Sequence, residues 1–290
     1  MAETAASYHG LYINLDRSTE RRAALEARLS GLGLAGRYAR LPGIDGASLN
    51  LPAGPLRPGE VGAFHSHTRS LERARGFGTA VHILEDDAIL CEHTAPVIED
   101  AIAAKFFDRF DILFTDMFVS CHLGLLKSLK ASFDRVKPAP GRTLRFGDLQ
   151  VLDLAGQNFA CLTSYVVGAR ALERVHALCV GELAAGPRLP VDLFIRNCVL
   201  SGQLRAAVIV PFVTSFDFDG VAGSTIVEGE GARPSVAVLA ALRYSFYVKR
   251  DLAHADALMK AAIGQQEDDP HRELIVRAVD FVLSDAFKEF

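Results

Sequence analysis

Short apolar runs of strand length alternate along this chain with stretches in which apolar residues recur every three or four positions. Those two periods separate buried strands from amphipathic helices. Gly10-Leu-Tyr-Ile-Asn-Leu15 is a β-prone run, and it leads into Asp16-Arg-Ser-Thr-Glu20, where Ser18 or Asp16 can cap a helix. That helix is predicted from Arg21 to about Ser30, with Leu25 and Leu29 one turn apart and Gly31 and Gly33 marking its end. A second strand is expected near Arg37 to Leu41, before the turn Pro42-Gly-Ile-Asp-Gly46. Pro58-Gly-Glu60 opens a helix in which Val61, Phe64, Thr68, Leu71 and Ala74 share one face. Ala80-Val-His-Ile-Leu84, Phe110–Phe114, Cys161–Val167 and Ala206–Val210 are further strand candidates, and a helix is expected from Ala169 to about Val180. Lys137 to Gly147, with Pro138, Pro140 and two glycines, is the clearest loop.

This alternation, sustained from Leu11 to Val210, predicts an α/β fold: a Rossmann-type, mostly parallel sheet with helices on both faces. Beyond the glycine-rich stretch Gly220–Gly231 the texture changes, and Ser235–Phe290 is expected to be wholly helical with a break at Gly264–Pro270. The expected division is one catalytic-sized domain over residues 1–231 and a C-terminal helical extension over 232–290.

Composition narrows the function classes. Half the residues are apolar and 23% are charged, which argues against disorder. A net charge of -4 removes the general attraction that non-specific nucleic-acid binding relies on, so no nucleic-acid partner is expected. Cys91, Cys121, Cys161, Cys179 and Cys198 are scattered and form no CxxC pair, the pattern of reduced thiols rather than a disulfide frame or zinc site. Met1 to Gly10 shows no signal-peptide pattern, and no apolar run reaches the roughly 20 residues that span a bilayer. The expected address is the cytoplasm.

The sharpest chemical signal is Glu85-Asp86-Asp87 at the end of an apolar run. In extended backbone alternate side chains share a face, so Glu85 and Asp87 are expected to converge while Asp86 points elsewhere. Two carboxylates about 5 Å apart repel by roughly 3 kcal/mol at an effective dielectric near 20, and such a pair wants a cation. All-oxygen ligands suit Mg²⁺ or Mn²⁺, which keep positions open for phosphate oxygens. The competing explanation is a solvated acidic turn after a strand.

The surrounding motifs favour the metal. Ile13-Asn-Leu-Asp-Arg17 with Glu20-Arg21-Arg22, Pro42-Gly-Ile-Asp-Gly46, Leu56-Arg-Pro-Gly-Glu60-Val-Gly62 with Ser66-His67, and Leu84-Glu-Asp-Asp87 together resemble glycosyltransferase family 25 in order and spacing. That family includes lipooligosaccharide galactosyltransferases and animal collagen galactosyltransferases. Weaker echoes continue in Phe110-Asp-Ile-Leu113, Thr163-Ser-Tyr-Val-Val-Gly168-Ala169 and Pro190-Val-Asp192. The resemblance implies a GT-A-like fold and inverting transfer of a hexose, galactose first, from a UDP-sugar to a hydroxyl of a saccharide or glycolipid acceptor such as lipooligosaccharide. It implies Glu85 and Asp87 as metal ligands and Asp86 as part of the donor-diphosphate site. Asn14, Asp16, Arg17 and Arg21 fall on the family's N-terminal motif, where a nucleotide would lie, and arginine there meets phosphate through a planar fork. Arg22 is read as an exposed helix residue.

His67 matches the family's Ser-His dipeptide and is equally a donor contact or a hydrogen-bonded helix histidine. Chelation together with His65 is excluded, because i and i+2 side chains on a helix do not face each other. For the general base the candidates are Asp192, which opens an apolar element after a Gly/Pro loop, and Asp116, which follows a strand end. Asp192 has a competing reading as a helix N-cap.

Three departures from the family bear on activity. Ser224-Thr225-Ile226 stands where the family often has Ser-Asp-Ile, and Met117 to Asp153 fits poorly and is a candidate acceptor-side loop. The chain has no tryptophan, so sugar stacking falls to residues such as Phe118, Phe159 or Tyr165. A catalytically inactive nucleotide-sugar-binding module is therefore the alternative. A nucleotidyltransferase is disfavoured, because Asn14 to Glu20 contains no glycine to cradle a phosphate. Near the C-terminus Leu274, Ile275, Ala278, Phe281 and Val282 form an apolar stripe. Packing on the catalytic domain is the ordinary use of such a stripe; a homodimer or peripheral attachment to the inner membrane are the special ones.

Overall fold

Alternation along a fully buried strand sends apolar side chains to both sides of a sheet, and both sides must then be covered. The computed structural model describes residues 8–49, 54–118, 123–136, 141–217, 234–251, 253, 254 and 257, and it meets that demand with a seven-stranded sheet. From one edge to the other its strands are β2 (Tyr38–Pro42), β1 (His9–Asn14), β3 (Val81–Glu85), β7 (Ser164–Val167), β5 (Ile112–Phe114), β8 (Ala206–Val210) and β6 (Gln150–Asp153). Five of them point the same way; β7 and β6 run against their neighbours. The protein is thus α/β with a mostly parallel, Rossmann-like sheet. A separate two-stranded ribbon joins β4 (Ala88–Leu90) to β9 (Thr214–Phe216).

Among the described residues the α-helices in chain order are α1 (Thr19–Gly31), α2 (Pro58–Ala74), α3 (Thr94–Ala103), α4 (Leu123–Arg135), α5 (Leu172–Ala185), α6 (Val191–Leu200) and α7 (Pro234–Ser245). Two cores divide the strands between them. Val81, Ile83, Ala206, Val208 and Val210 pack on one side with Phe64 and Leu71 of α2, Leu129 of α4, Val175 of α5 and Ile195 of α6. Leu84, Ala207 and Ile209 pack on the other with Leu25 and Leu29 of α1 and Val97 and Ile98 of α3. Helices cover both faces, as the sequence predicts.

Register fixes what meets at the carboxyl end of the sheet. Asn14 lies opposite Pro42, and Ile13 opposite Glu85, so the carboxyl ends of β1, β2 and β3 finish together. The turn after β2 is held against α2 by backbone contact. A Cβ on Gly46 would come within 1.7 Å of the Pro58 carbonyl oxygen, and one on Gly62 within 2.4 Å of that of Ile44. Only glycine permits that approach at either position.

Residues 241–248 are packed into the body of the fold. Ala241, Leu242 and Phe246 are buried in the first core and Tyr247 and Val248 in the second. Phe212 donates its amide to the Phe246 carbonyl at 2.8 Å, and Val248 returns one to Phe212 at 2.9 Å. The apolar stripe at 274–282, the helical break at 264–270 and Ser224-Thr225-Ile226 lie outside the described residues. Within the segment 117–153, α4 and the edge strand β6 are built into the fold rather than left as loop; Lys137 to Pro140 lie outside the described residues. Among the described residues no helix is long and apolar enough to cross a membrane.

Candidate functional site

The strand β3 ends at Glu85, and a turn at Asp86-Asp87 leads directly into β4. The turn breaks the strand's period of two, so the expected separation of Asp86 from its neighbours does not occur. All three acids line one cleft of about 210 Å³. The turn is pinned from outside as well, because Asp217, following β9, donates its amide to the Asp87 carbonyl at 2.8 Å.

Each acid has its own partner. Glu85 Oε1 lies 3.1 Å from His67 Nε2, while His67 Nδ1 lies 3.0 Å from the Tyr165 hydroxyl. His67 is buried on α2 and takes up the role of a hydrogen-bonded helix histidine, yet it lines the cleft and fixes Glu85. Asp86 Oδ2 accepts from Asn14 Nδ2 at 2.7 Å, and its Oδ1 lies 3.1 Å from Arg21 Nε. Arg21 also reaches Asp87, with the second guanidinium nitrogen 2.8 Å from Oδ2. Asp87 Oδ1 is buried with no hydrogen-bond partner among the described residues.

The electrostatics follow from this crowding. Burial pushes the Asp87 carboxyl up to about 7; the neighbouring Glu85 charge adds to the rise and Arg21 opposes it. Burial alone would also raise Glu85, but the hydrogen bond and charge of His67, joined by the charges of Arg243 and Arg21, together outweigh it and the carboxyl sits below its ordinary value. Asp86 is raised by burial against the pull of Arg21 and Asn14.

These observations test the fit of a divalent cation. The orphaned Asp87 oxygen and the packed carboxylates suit one. Among the described residues no three of His, Cys, Asp and Glu converge closely enough to cage an ion alone. The chain would therefore hold a cation through Glu85 and Asp87, leaving the remaining positions to phosphate or water oxygens.

The cleft's other wall is backbone. Gly43, Ile44, Asp45, Gly46 and the start of α2 at Pro58 and Gly59 line it. Ser66 ties this wall down, accepting the Ile44 amide at 2.8 Å and donating to the Gly62 carbonyl at 2.7 Å. Arg17 lines the cleft and pairs with Asp45 across it. Asp16 does not line it; its side chain is 81% exposed and accepts from Arg40 at 2.5 Å. Arg40 also clamps Asn14, donating to its Oδ1 and to its carbonyl, each at 3.0 Å.

Neither base candidate lines the cleft. Asp192 lies in the first turn of α6, whose N-cap is Pro190, and accepts the amides of Cys161 and Leu193, each at 2.9 Å. Asp116 is fully buried and paired with Arg243 of α7 at 2.5 Å. Burial raises both carboxyls, opposed at Asp192 by its two amides and at Asp116 by Arg243, and the charge of Glu85 is felt at each.

Arg40 and Ser66 support this site by direct hydrogen bonds, Tyr165 through His67 and Arg243 through its charge, and the sequence does not single out Arg40 or Arg243. Arg40 lies in a strand with no motif around it, and Arg243 falls beyond the expected domain border. Ser66 has a pointer in the Ser-His pair it shares with His67, and Tyr165 one in the Thr163–Ala169 motif.

No protein-family model matches the chain, and no curated protein matches it.

Proposed function

We propose that the chain is a metal-dependent glycosyltransferase of GT-A-like design that moves a hexose, galactose by its resemblance to family 25, from a UDP-sugar to a saccharide hydroxyl with inversion. One observation carries this reading. Glu85 finishes a sheet strand and Asp86-Asp87 turns out of it inside a cleft whose walls also hold Arg17, Arg21 and a glycine-rich turn, which is where open α/β sheets take ligands.

A bound Mn²⁺ or Mg²⁺ would offset charge on the departing diphosphate. The chain's own residues do the rest. Arg17 and Arg21 offer planar forks to phosphate oxygens. His67 keeps Glu85 ionised and oriented, and Asn14 with Arg40 holds Asp86. Asp192 is the better-supported base, since two amides orient it, whereas Arg243 occupies Asp116 and opposes its protonation. A saccharide or glycolipid acceptor would have to approach from the side of Asp192.

Asp87→Ala should cut Mn²⁺-dependent release of UDP from UDP-galactose by about a hundredfold or more while circular dichroism stays that of the folded chain. Undiminished turnover in that variant sinks the proposal. A thermal-shift screen of UDP-, GDP- and CMP-sugars with and without Mn²⁺ checks the donor class independently.

The exclusion of both base candidates from the cleft lining favours one second reading, an inactive nucleotide-sugar-binding module. UDP binding without transfer or donor hydrolysis across a broad acceptor panel selects it.

A further inference from the structure

Arg21 is bound to the acidic turn at two points. Its Nε faces Asp86 Oδ1 at 3.1 Å and its terminal nitrogen faces Asp87 Oδ2 at 2.8 Å. Asp86 is itself held from behind by Asn14 at 2.7 Å. The other Asp87 oxygen has no hydrogen-bond partner among the described residues. The guanidinium thus stands against the same carboxylate that the proposed reading assigns to a divalent cation. A divalent ion on one oxygen and a guanidinium on the other repel each other across the carboxylate, which weakens the hold of Arg21 on Asp87.

We propose that Arg21 is the site's resident counter-ion, which yields Asp87 to a divalent cation and turns its freed guanidinium nitrogen to the donor's diphosphate. The inference rests on the metal-dependent reading above. Asp87 Oδ1 offers a first point of attachment that does not require Arg21 to move. Nε has no hydrogen-bond partner among the described residues, so Asp86 holds the side chain at the cleft by charge alone, 3.1 Å away, while the outer nitrogen is released. The side chain is about a quarter exposed, at 27%, and lines the cleft, so the released end has room. Cation and nucleotide are then coupled through one arginine: the cation frees the fork that the phosphates need, and the phosphates draw the fork from the carboxylate that the cation needs.

The test is calorimetric titration of the full chain with Mn²⁺ alone, with UDP alone, and with each in the presence of the other. Wild type, Arg21→Met and Arg21→Lys are compared. Mn²⁺ and UDP enhance each other's binding in the wild type. Arg21→Met binds Mn²⁺ alone tighter, on the order of tenfold, binds UDP more weakly, and loses most of the mutual enhancement. Arg21→Lys falls between, because an ammonium keeps the charge without the fork. It also carries the comparison if the methionine variant fails to fold. Wild type that binds Mn²⁺ while both variants bind it equally or more weakly overturns the inference and leaves the metal reading standing. Wild type that binds no Mn²⁺, with or without UDP, removes the metal reading and this inference with it.

Discussion

His82 occupies the second position of β3, where a β-branched residue would ordinarily pack. It is fully buried, and both ring nitrogens are satisfied by hydroxyls: Nδ1 lies 2.7 Å from Tyr38 and Nε2 2.8 Å from Ser164. The chain continues from Ser164 to Thr115 at 2.6 Å and from Thr115 to Thr214 at 2.8 Å. Burial lowers the His82 pKa from 6.5 to about 3, so the folded protein keeps a neutral ring where the unfolded chain takes up a proton. The stability contributed by this neutral state is fully present above pH 6.5 and is lost progressively as pH falls toward 3. At pH 4.5 the loss is about 3 kcal/mol, from 1.36 kcal/mol per pH unit. Urea unfolding at pH 7 and pH 4.5 measures it. His82→Gln, which can still meet both hydroxyls but does not titrate, should show a pH dependence smaller by that amount; equal slopes in the two proteins refute the assignment.

At the scale of elements, α7 is fastened by a charge. Arg243 and Asp116 form an ion pair in which both side chains are nearly sealed from water, at 4% and 0% exposure, and the guanidinium also lies 4.5 Å above the Phe216 ring. Burial alone would lower the Arg243 pKa; the charge and hydrogen bond of Asp116, joined by neighbouring groups that include Asp87, together reverse that and hold it above its ordinary value. Removing one partner strands the other in a dry site, which costs about 3–5 kcal/mol, whereas replacing both by apolar residues recovers much of the loss. Arg243→Met should therefore lower the unfolding free energy by that amount in urea titration, and Arg243→Met with Asp116→Leu should restore most of it. An additive loss in the double variant would show that the pair contributes through something other than charge.

The elements also show what the chain made legible. β3 and β8 are continuous apolar runs, and the prediction lies within a residue of each. β4 and β9 are three residues long and exist because they pair with each other across 126 positions of chain, as Ala88 does with Phe216 at 128. No local pattern encodes such a partner. β6 alternates between exposed and half-buried positions at a sheet edge, so its apolar period is too faint to recognise. The acidic tip was visible as a motif, but its geometry was not, because the turn at Asp86 cancels the strand periodicity from which convergence was argued. Arg40, Tyr165 and Arg243 reach the site only through tertiary packing.

For the whole molecule, residues 241–248, which follow the expected border near residue 231, pack into the cores of the central sheet. Ala241, Leu242 and Phe246 share a cluster with Phe133, Phe212 and strands of the central sheet. The rings of Phe133 and Phe246 meet edge to face at 5.8 Å. Deleting everything after residue 233 strips these apolar groups of cover and leaves Asp116 without its cation. Such a protein should lose its cooperative unfolding transition and bind a hydrophobic dye, rather than remain a soluble active monomer. A sharp thermal transition in the truncated chain would contradict this account.

The contact between Gly46 and Gly62 has a consequence for how this cleft can change. Main chain meets main chain there, so that wall presents amides and carbonyls whose positions no side-chain exchange can retune. Altered ligand preference must then be written on the facing side, in the arginines and acids that α1 and the Asp86-Asp87 turn supply. One side of the cleft is set largely by main chain, and the other is open to revision one side chain at a time.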